Sequence, residues 1–313
     1  CSVRRQRQMC IRDRYNIQSM NSKLEKSIQQ FKESLEGSID QLLPLSIERP
    51  DQLHSAMRYS LCDGGKRVRG ILLLLCSKIF KPSADPLPAS VAIECIHAYS
   101  LIHDDLPAID DSQTRRNKPS SHIAFDEATA ILAGDALLTE AFKILSENYK
   151  ETPELGMRLI QDLATASSSL GMIGGQMEDI ENEGQSVDAS TLEYIHKNKT
   201  AKLIQAAISM GFAFSEESNQ ISTEINQLGY YLGMSFQYID DLLDIQSDAK
   251  TLGKPTGADL NSDKLTSFKV YGIDGTLKKI AEHTEQVESL LDQIGGDTSN
   301  LRYYIQFLQN RLY

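Results

Sequence analysis

Four aspartates lie within eight residues of the stretch SLIHDDLPAIDDSQTRRNKP, at the end of an apolar run with helical spacing. Two adjacent arginines follow, so the stretch combines the carboxylates Asp104, Asp105, Asp110 and Asp111 with the guanidinium groups of Arg115 and Arg116. Carboxylates at such short spacing repel one another unless a cation or a positive ligand offsets their charge. The stretch therefore indicates a cation held beside an anion.

A second acidic cluster lies in SFQYIDDLLDIQ. Four polar residues at i, i+3, i+4 and i+7 project from one face of a predicted long helix, namely Gln237, Asp240, Asp241 and Asp244. Several carboxylate oxygens together suit Mg²⁺, which commonly bridges one or two carboxylates to phosphate oxygens. If the two helices face each other across a cavity, the clusters can hold a small group of Mg²⁺ ions and, through them, a diphosphate.

Two alternatives apply to these clusters. DDLLD by itself is typical of a solvated helix face, because short motifs recur by chance. Calcium is the rival metal, but neither cluster has the alternating Asp/Asn loop with a glutamate at its twelfth position. The presence of two clusters in one chain favours the diphosphate site.

Basic residues are grouped near both clusters. DGGKRVRG places Lys66, Arg67 and Arg69 after a glycine pair, where a turn and a helix start can receive an anion. Each basic residue alone is typical of a protein surface, and GGKRVRG lacks the spacing of a Walker A loop. Their position beside carboxylates favours anion binding. Further basic residues in such positions are Lys199, next to Thr200 in HKNKTAK, and Lys254 and Lys264 in TLGKPTGADLNSDKLTSF.

The elements that position these residues are predicted to be helices. Apolar residues recur at spacings of three and four, and no alternating strand pattern or fixed-period repeat is present. Predicted helices cover residues 24–39, 120–149, 190–214 and 221–243, the third opening with a Ser190/Glu193 capping box. Breaks are predicted at residues 64–65, 82–88, 171–175 and 253–257, where Gly and Pro cluster. The sequence thus predicts an all-α protein.

Composition narrows the function classes. The chain has 313 residues, 41% of them hydrophobic, and a net charge of −11, so nucleic acid is not an expected partner. Its five cysteines form no C-x-x-C pair, which fits a reducing compartment. The longest apolar run, ILLLLC, is far shorter than a membrane span. We therefore expect a soluble, cytoplasmic protein with no integral membrane association. Residues 1–16 show no helical period, and we interpret them as an added or disordered leader.

Six motifs in order carry a resemblance to a known family: GGKRVRG, HAYSLIHDDLPAIDDSQTRRNKP, GGQMEDI, HKNKTAKLI, FQYIDDLLDI and TLGKPTGADLNSDKLTSF. This order resembles the trans-isoprenyl diphosphate synthases, most of all their bacterial farnesyl diphosphate group, over nearly all of residues 22–313. The resemblance implies the isoprenoid synthase fold, with ten or more long helices around a central cavity in one catalytic domain at residues 17–313. It also implies a homodimer and two aspartate motifs that face each other at the cavity mouth.

The resemblance assigns roles residue by residue. It implies three Mg²⁺ ions, replaceable by Mn²⁺, on Asp104, Asp105, Asp110, Asp240, Asp241 and Asp244. Arg115, Lys199 and Lys254 would bind the allylic diphosphate, while Lys66, Arg69, His97 and Arg116 would bind isopentenyl diphosphate. Thr200 and Gln237 would lie near the reacting carbons, and Tyr99 with Ser100 would set product length. The residues with catalytic roles are then Asp104, Asp110, Asp240, Lys199, Thr200 and Gln237.

The implied reaction is head-to-tail condensation of isopentenyl diphosphate with dimethylallyl or geranyl diphosphate, giving mainly farnesyl diphosphate and inorganic diphosphate. Alternatives are a geranylgeranyl diphosphate synthase of the same family, a non-catalytic regulatory subunit, and a class I terpene cyclase. A cyclase would leave Lys66, Arg69 and Arg116 unexplained, and a regulatory subunit would have a damaged aspartate motif. The chain departs from the family at Gly70, Ser112, Gln113 and Asn117, which affects loop geometry and affinity more than reaction class.

Overall fold

The structure is a computed structural model that describes residues 24–62, 64–185, 187–252 and 266–309, with the backbone alone for residues 244–252. The predictions for residues 1–16, Lys254 and Lys264 lie outside the described residues, as does the side chain of Asp244.

The described part of the chain is all-α, as predicted. Helix α1 covers residues 24–42. The others are α2 (Asp51–Cys62), α3 (Val68–Ser77), α4 (Leu87–Asp104), α5 (Ser121–Ala124), α6 (Glu127–Asn148), α7 (Pro153–Ser167), α8 (Met172–Glu181), α9 (Ala189–Ile195), α10 (Lys202–Phe212), α11 (Ser222–Leu252), α12 (Ser267–Ile294) and α13 (Ser299–Gln309). A π-helix (His196–Ala201) joins α9 to α10, and a 3₁₀-helix (Glu216–Ile221) precedes α11.

The core forms around helices that are apolar on every side. Nine of the ten residues of α3 are buried, and α4 is buried along most of its length. Helix α4 packs against α3 and α6, α10 packs against α3 and α7, and α11 packs between α10 and α12. Because a helix that is apolar all round needs neighbours on all sides, α3 and α4 take the centre and the amphipathic helices surround them. In the described part, no helix is long and apolar enough to cross a membrane.

One short hairpin departs from the prediction that no strands form. Strand β1 (Thr114–Arg115) pairs antiparallel with β2 (Lys118–Pro119). Arg116 and Asn117 at its tip have φ of 54° and 62°, the left-handed region that a two-residue hairpin requires. Asparagine tolerates this region better than most residues, so Asn117 can stand where the family has glycine.

Three predicted helix boundaries were wrong. Asp188, not Ser190, caps α9, because its carboxylate accepts the Thr191 N–H at 2.8 Å. The helix predicted at 120–149 is divided, because Asp126 caps α6 by accepting the Thr129 N–H at 2.7 Å. The glycine cluster at 171–175 is only partly a break, since α8 begins at Met172.

Candidate active site

A cavity of about 360 Å³ opens between α4, α8 and the π-helix. Part of its wall is apolar and part is polar or charged. The apolar part includes Tyr99, Met172, Ile173, Met177 and Ile180. The polar part includes Arg69, His97, Ser100, Asp104, Gln176, Lys199 and Thr200. The cavity can therefore accept a ligand with an apolar chain and an anionic head.

The first aspartate motif forms the end of α4 and the loop that follows it. Asp104 is the last residue of α4, and the Asp110 N–H donates to its backbone carbonyl at 2.9 Å. This bond folds the loop back onto the helix end, and both residues are half-buried. The motif therefore presents Asp104 and Asp110 close together.

Asp105 faces the protein interior. Its carboxylate is buried and accepts hydrogen bonds from Arg115, with Nη2 2.5 Å from Oδ1 and Nε 3.1 Å from each oxygen. Burial lowers the pKa of Arg115, but the hydrogen bonds and charge of Asp105 outweigh burial, and the pKa lies above its ordinary value. Arg115 also lies 3.8 Å from Asp104. The pair thus anchors the hairpin to the end of α4.

The second motif shows the same division between neighbours. Asp240 is half-buried, whereas Asp241 is buried with both carboxylate oxygens engaged. Gln237 Nε2 donates to Oδ1 at 2.8 Å, the Ser267 N–H donates to Oδ2 at 2.6 Å, and His196 Nε2 lies 3.5 Å from Oδ2. Thr200 Oγ1 in turn donates to Gln237 Oε1 at 2.7 Å. These contacts connect the π-helix, α11 and α12.

A cationic cluster lies beside the cavity. Arg69 and His97 line the wall, and the half-buried Arg69 has no hydrogen-bond partner for Nε among the described residues. Burial lowers the pKa of Arg69, although the charges of Glu94 and Asp240 oppose this shift. Burial, and then the charges of Arg69, Arg116 and two further arginines, hold the pKa of His97 well below its ordinary value. His97 is therefore neutral near pH 7, and the cluster has room for negative charge.

Arg116 reaches this cluster across the glycine turn. Its Nη1 donates to the Gly64 carbonyl at 2.8 Å. A Cβ on Gly65 would lie 2.9 Å from Arg116 Cζ, and Gly65 has a φ of +120°, so only glycine suits this position. Lys66 is exposed on the same turn. Of the sequence-predicted group, Arg69, His97 and Arg116 are thus brought within electrostatic reach of one another, and Lys66 lies on the neighbouring turn.

Arg67, grouped with these residues by sequence, points inward instead. It is 3% exposed, donates from Nε to Glu36 Oε1 at 2.8 Å, and lies 3.7 Å from Glu94 Oε2. Glu94 Oε1 also accepts the Gly70 N–H at 2.9 Å. A proline at position 70 has no N–H and could not make that bond. Glycine at the position where the family has proline therefore allows a hydrogen bond between α3 and α4.

Tyr99 and Ser100 lie on the cavity wall. The Tyr99 side chain is buried, its ring packs edge-on against His103 at 5.8 Å, and burial raises its pKa to about 12. Within the described chain its hydroxyl has no hydrogen-bond partner. Ser100 Oγ donates to the His97 carbonyl at 2.9 Å.

Sequence reasoning missed two residues of α8. Gln176 Nε2 donates to Asp104 Oδ1 at 2.8 Å, and Asp179 accepts from Lys199 Nζ at 2.6 Å. The signal was available in GGQMEDI, where a glutamine and an aspartate stand three residues apart and therefore on one helix face.

The carboxylates fit a metal ion only together with a ligand. No group of three or more His, Cys, Asp or Glu side chains within the described ranges lies close enough to hold a metal ion. The protein itself engages Asp105 through Arg115 and Asp241 through Gln237 and Ser267. The half-buried carboxylates of the two motifs are Asp104, Asp110 and Asp240. Because Mg²⁺ is commonly held by one or two carboxylates with phosphate oxygens and waters, this donor set fits Mg²⁺ shared with a diphosphate.

An all-α cavity with two carboxylate motifs, a cationic cluster and an apolar wall defines a class of enzymes that act on prenyl diphosphates. The chain belongs to the polyprenyl synthetase family, whose sequence profile matches residues 50–307. The farnesyl diphosphate synthase of Geobacillus stearothermophilus is 40% identical over 91% of this chain and 98% of its own length. A geranylgeranyl diphosphate synthase of Cyanophora paradoxa is 35% identical over 90% of this chain and 94% of its own. A crystal structure of a geranyltransferase from Legionella pneumophila superposes with a TM-score of 0.82 at 34% identity, covering 93% of this chain and 98% of that one.

Proposed function

We propose that the chain condenses isopentenyl diphosphate head-to-tail with dimethylallyl and then geranyl diphosphate, releasing inorganic diphosphate and giving farnesyl diphosphate as the main product. The observation that carries the proposal is the cavity itself, whose lining combines Asp104 and Lys199, Arg69 and His97, and apolar side chains. Two diphosphates can bind side by side there, one at the carboxylates and one at the arginines. The names of the relatives support the same reaction.

Different residues have different roles in this proposal. Asp104, Asp110 and Asp240 would hold Mg²⁺, three ions in all, with Mn²⁺ able to substitute, and the bound cations would supply positive charge that offsets the charge of a departing allylic diphosphate. Lys199, with Arg115, binds that diphosphate. Lys66, Arg69, His97 and Arg116 orient isopentenyl diphosphate so that its double bond attacks the allylic carbon from which the diphosphate departs, and the released diphosphate then takes up the proton that the condensed product loses.

The cavity protects the reaction in two ways. The apolar side chains of Met172, Met177 and Ile180 exclude water from the allylic cation. Thr200 and Gln237, fixed by their mutual hydrogen bond, face the reacting carbons. The developing charge is therefore surrounded by oriented oxygens rather than by mobile solvent.

The proposal extends to assembly and location. Exposed apolar side chains on α5 and α6, including Ile123, Ile131 and Leu132, support a homodimer through that face. The free cysteines Cys62, Cys76 and Cys95 support a reducing compartment such as the cytoplasm.

One assay tests the proposal. The protein is incubated with Mg²⁺, dimethylallyl diphosphate and isopentenyl diphosphate, and the dephosphorylated products are separated by chromatography. We expect a C15 alcohol, none in excess chelator, and very little from Asp104→Ala. A main product of C20 would favour the geranylgeranyl alternative, which the Cyanophora relative supports. Absence of any product from the wild type would overturn the proposal.

A further inference from the structure

Helix α8 carries two polar residues that the proposed mechanism does not use. Gln176 and Asp179 lie on one face of the helix and each contacts a different ligand-binding residue of the cavity. Gln176 Nε2 donates to Asp104 Oδ1 at 2.8 Å, and Asp179 Oδ2 accepts from Lys199 Nζ at 2.6 Å. All four side chains are half-buried. One short helix thus contacts both the first aspartate motif and the lysine of the π-helix.

Close packing of two backbones places α8 at this distance. Gly175 is inside α8, and a Cβ there would lie 2.1 Å from the Lys199 backbone nitrogen and 2.7 Å from the Asn198 carbonyl carbon. Real Cβ atoms do not approach backbone atoms so closely, so only glycine allows α8 to lie against the π-helix. The contact between Asp179 and Lys199 therefore depends on a specific packing arrangement and is more than an encounter of surface charges.

The chemistry of the two contacted residues explains why they need support. The lysine ammonium sits on a flexible four-carbon stem, and freezing it on a ligand costs conformational entropy. Lys199 and Asp104 also line the same cavity with opposite charges. If each were free to turn, they could pair with each other and occupy the space of an incoming diphosphate. The Asp179 carboxylate holds Lys199 and the Gln176 amide holds Asp104. These two contacts keep the lysine and the aspartate apart.

We propose that α8 is a positioning helix, in which Asp179 fixes the Lys199 ammonium and Gln176 fixes the Asp104 carboxylate before the allylic diphosphate binds. The inference rests on the proposed function, because it names the residues that prepare that site. Neither residue touches the reacting atoms in this proposal. Asp179 acts through Lys199, and Gln176 acts through Asp104.

The role of Asp179 is tested by the Michaelis constants of the two substrates. In Asp179→Asn we expect the constant for the allylic substrate to rise about tenfold, since a neutral amide cannot hold the ammonium by charge, while that for isopentenyl diphosphate changes less than about twofold. Asp179→Glu should restore part of the loss. The matched control is Glu181→Gln, which removes an exposed carboxylate from the same helix and should leave both constants unchanged.

A double-mutant cycle separates positioning from general stability. If Asp179 acts through Lys199, then Asp179→Asn adds no further loss in a Lys199→Ala background. Additive losses, or an equal rise of both Michaelis constants in the single variant, would overturn the inference. Circular dichroism and the thermal midpoint check that each variant is folded.

The role of Gln176 is tested without turnover. Calorimetric titration of Mg²⁺ into protein with inorganic diphosphate should show binding at least about fivefold weaker in Gln176→Leu, because the Asp104 carboxylate loses the donor that orients it. Asp179→Asn should weaken binding of inorganic diphosphate in the same experiment. Wild-type affinities in both variants would overturn the inference even if the protein forms prenyl products, and weakened affinities would support it even if no product is formed.

Discussion

The backbone N–H of Ser267, the first residue of α12, donates to Asp241 Oδ2 at 2.6 Å, so one carboxylate of the second acidic motif caps a helix instead of facing the cavity. Asp241 is buried, and its other oxygen accepts from Gln237. Its neighbour Asp240 is half-buried, and its charge reaches Arg69. Asp241 is therefore held within the fold, whereas the proposed function assigns its neighbour Asp240 to the ligand.

This division predicts opposite effects of two neighbouring substitutions. Asp241→Ala removes the acceptor of a buried helix start and of Gln237, and we expect the free energy of unfolding to fall by roughly 2–4 kcal/mol. Asp240→Ala should change stability by less than about 1 kcal/mol but lower kcat by at least about 100-fold. Urea unfolding and steady-state rates measure the two quantities. Equal losses of stability in the two variants would show that the division is wrong.

The two arginines of the cationic cluster should act on one substrate. Arg69 and Arg116 are assigned to isopentenyl diphosphate, so alanine at either position should raise the Michaelis constant for that substrate by roughly tenfold or more, with a smaller effect on the allylic substrate. Lys66→Ala is the control for an exposed charge. Because the Lys66 ammonium is exposed, it should contribute less to binding of isopentenyl diphosphate, and the rise in the Michaelis constant should be smaller. Arginine variants that impair both substrates alike would contradict the assignment.

Burial of histidines predicts how stability depends on pH. Burial is the main cause that lowers the pKa values of His97, His196 and His283 below the ordinary value of 6.5. Well above pH 6.5 these side chains are neutral in both the folded and unfolded chain. As the pH falls below 6.5, the unfolded chain takes up protons that the folded chain does not, so stability decreases by up to about 1.4 kcal/mol per pH unit for each histidine.

The measurement compares urea unfolding between pH 7.5 and pH 5.5, above the range in which ordinary carboxylates titrate. We expect the wild type to be less stable at the lower pH, and His97→Asn to show a smaller decrease because one titrating group is absent. His54→Asn is the matched control, since His54 is a half-buried histidine of α2 that does not line the cavity. An unchanged slope in His97→Asn would refute the role of this histidine.

Much of the fold could be predicted from the sequence because the amphipathic helices bury an apolar stripe that recurs every three to four residues, while α3 and α4 are apolar nearly throughout. The breaks were harder to predict, since they depend on contacts between distant residues. The π-helix at His196–Ala201 lies against Gly175, and the hairpin tip at Arg116 and Asn117 depends on residues that accept positive φ. The spacing of apolar residues within one segment indicates neither the contact of the π-helix with Gly175 nor the positive φ values at the hairpin tip.

The candidate site could be predicted in type more than in orientation. Adjacent residues of an α-helix point about 100° apart, so in each Asp-Asp pair only one side chain can face the cavity squarely. That geometry was available from the sequence, but which aspartate turns inward is decided by Arg115 for Asp105 and by Ser267 for Asp241. Gln176 and Asp179 were missed because their partners lie far away in sequence.

The buried ring of Tyr99 should limit the length of the product. Tyr99 is five residues before Asp104, so it lies about 7.5 Å below that carboxylate along α4, and helical side chains lean toward the N-terminus, which is deeper in the cavity. Its ring lines the cavity and packs against His103. Replacing it by alanine should extend the space for the growing chain, so we expect Tyr99→Ala to form products of C20 and longer.

Tyr99→Phe is the matched control, because it keeps the ring and removes only a buried hydroxyl that has no partner in the described part of the chain. This variant should still stop at C15, and its free energy of unfolding should be unchanged or slightly higher, since an unsatisfied buried polar group is lost. Chromatography of the products separates the two outcomes. If Tyr99→Ala remains folded and active but stops at C15, another side chain closes the cavity floor. If Tyr99→Phe also makes longer products, the hydroxyl rather than the ring limits the chain.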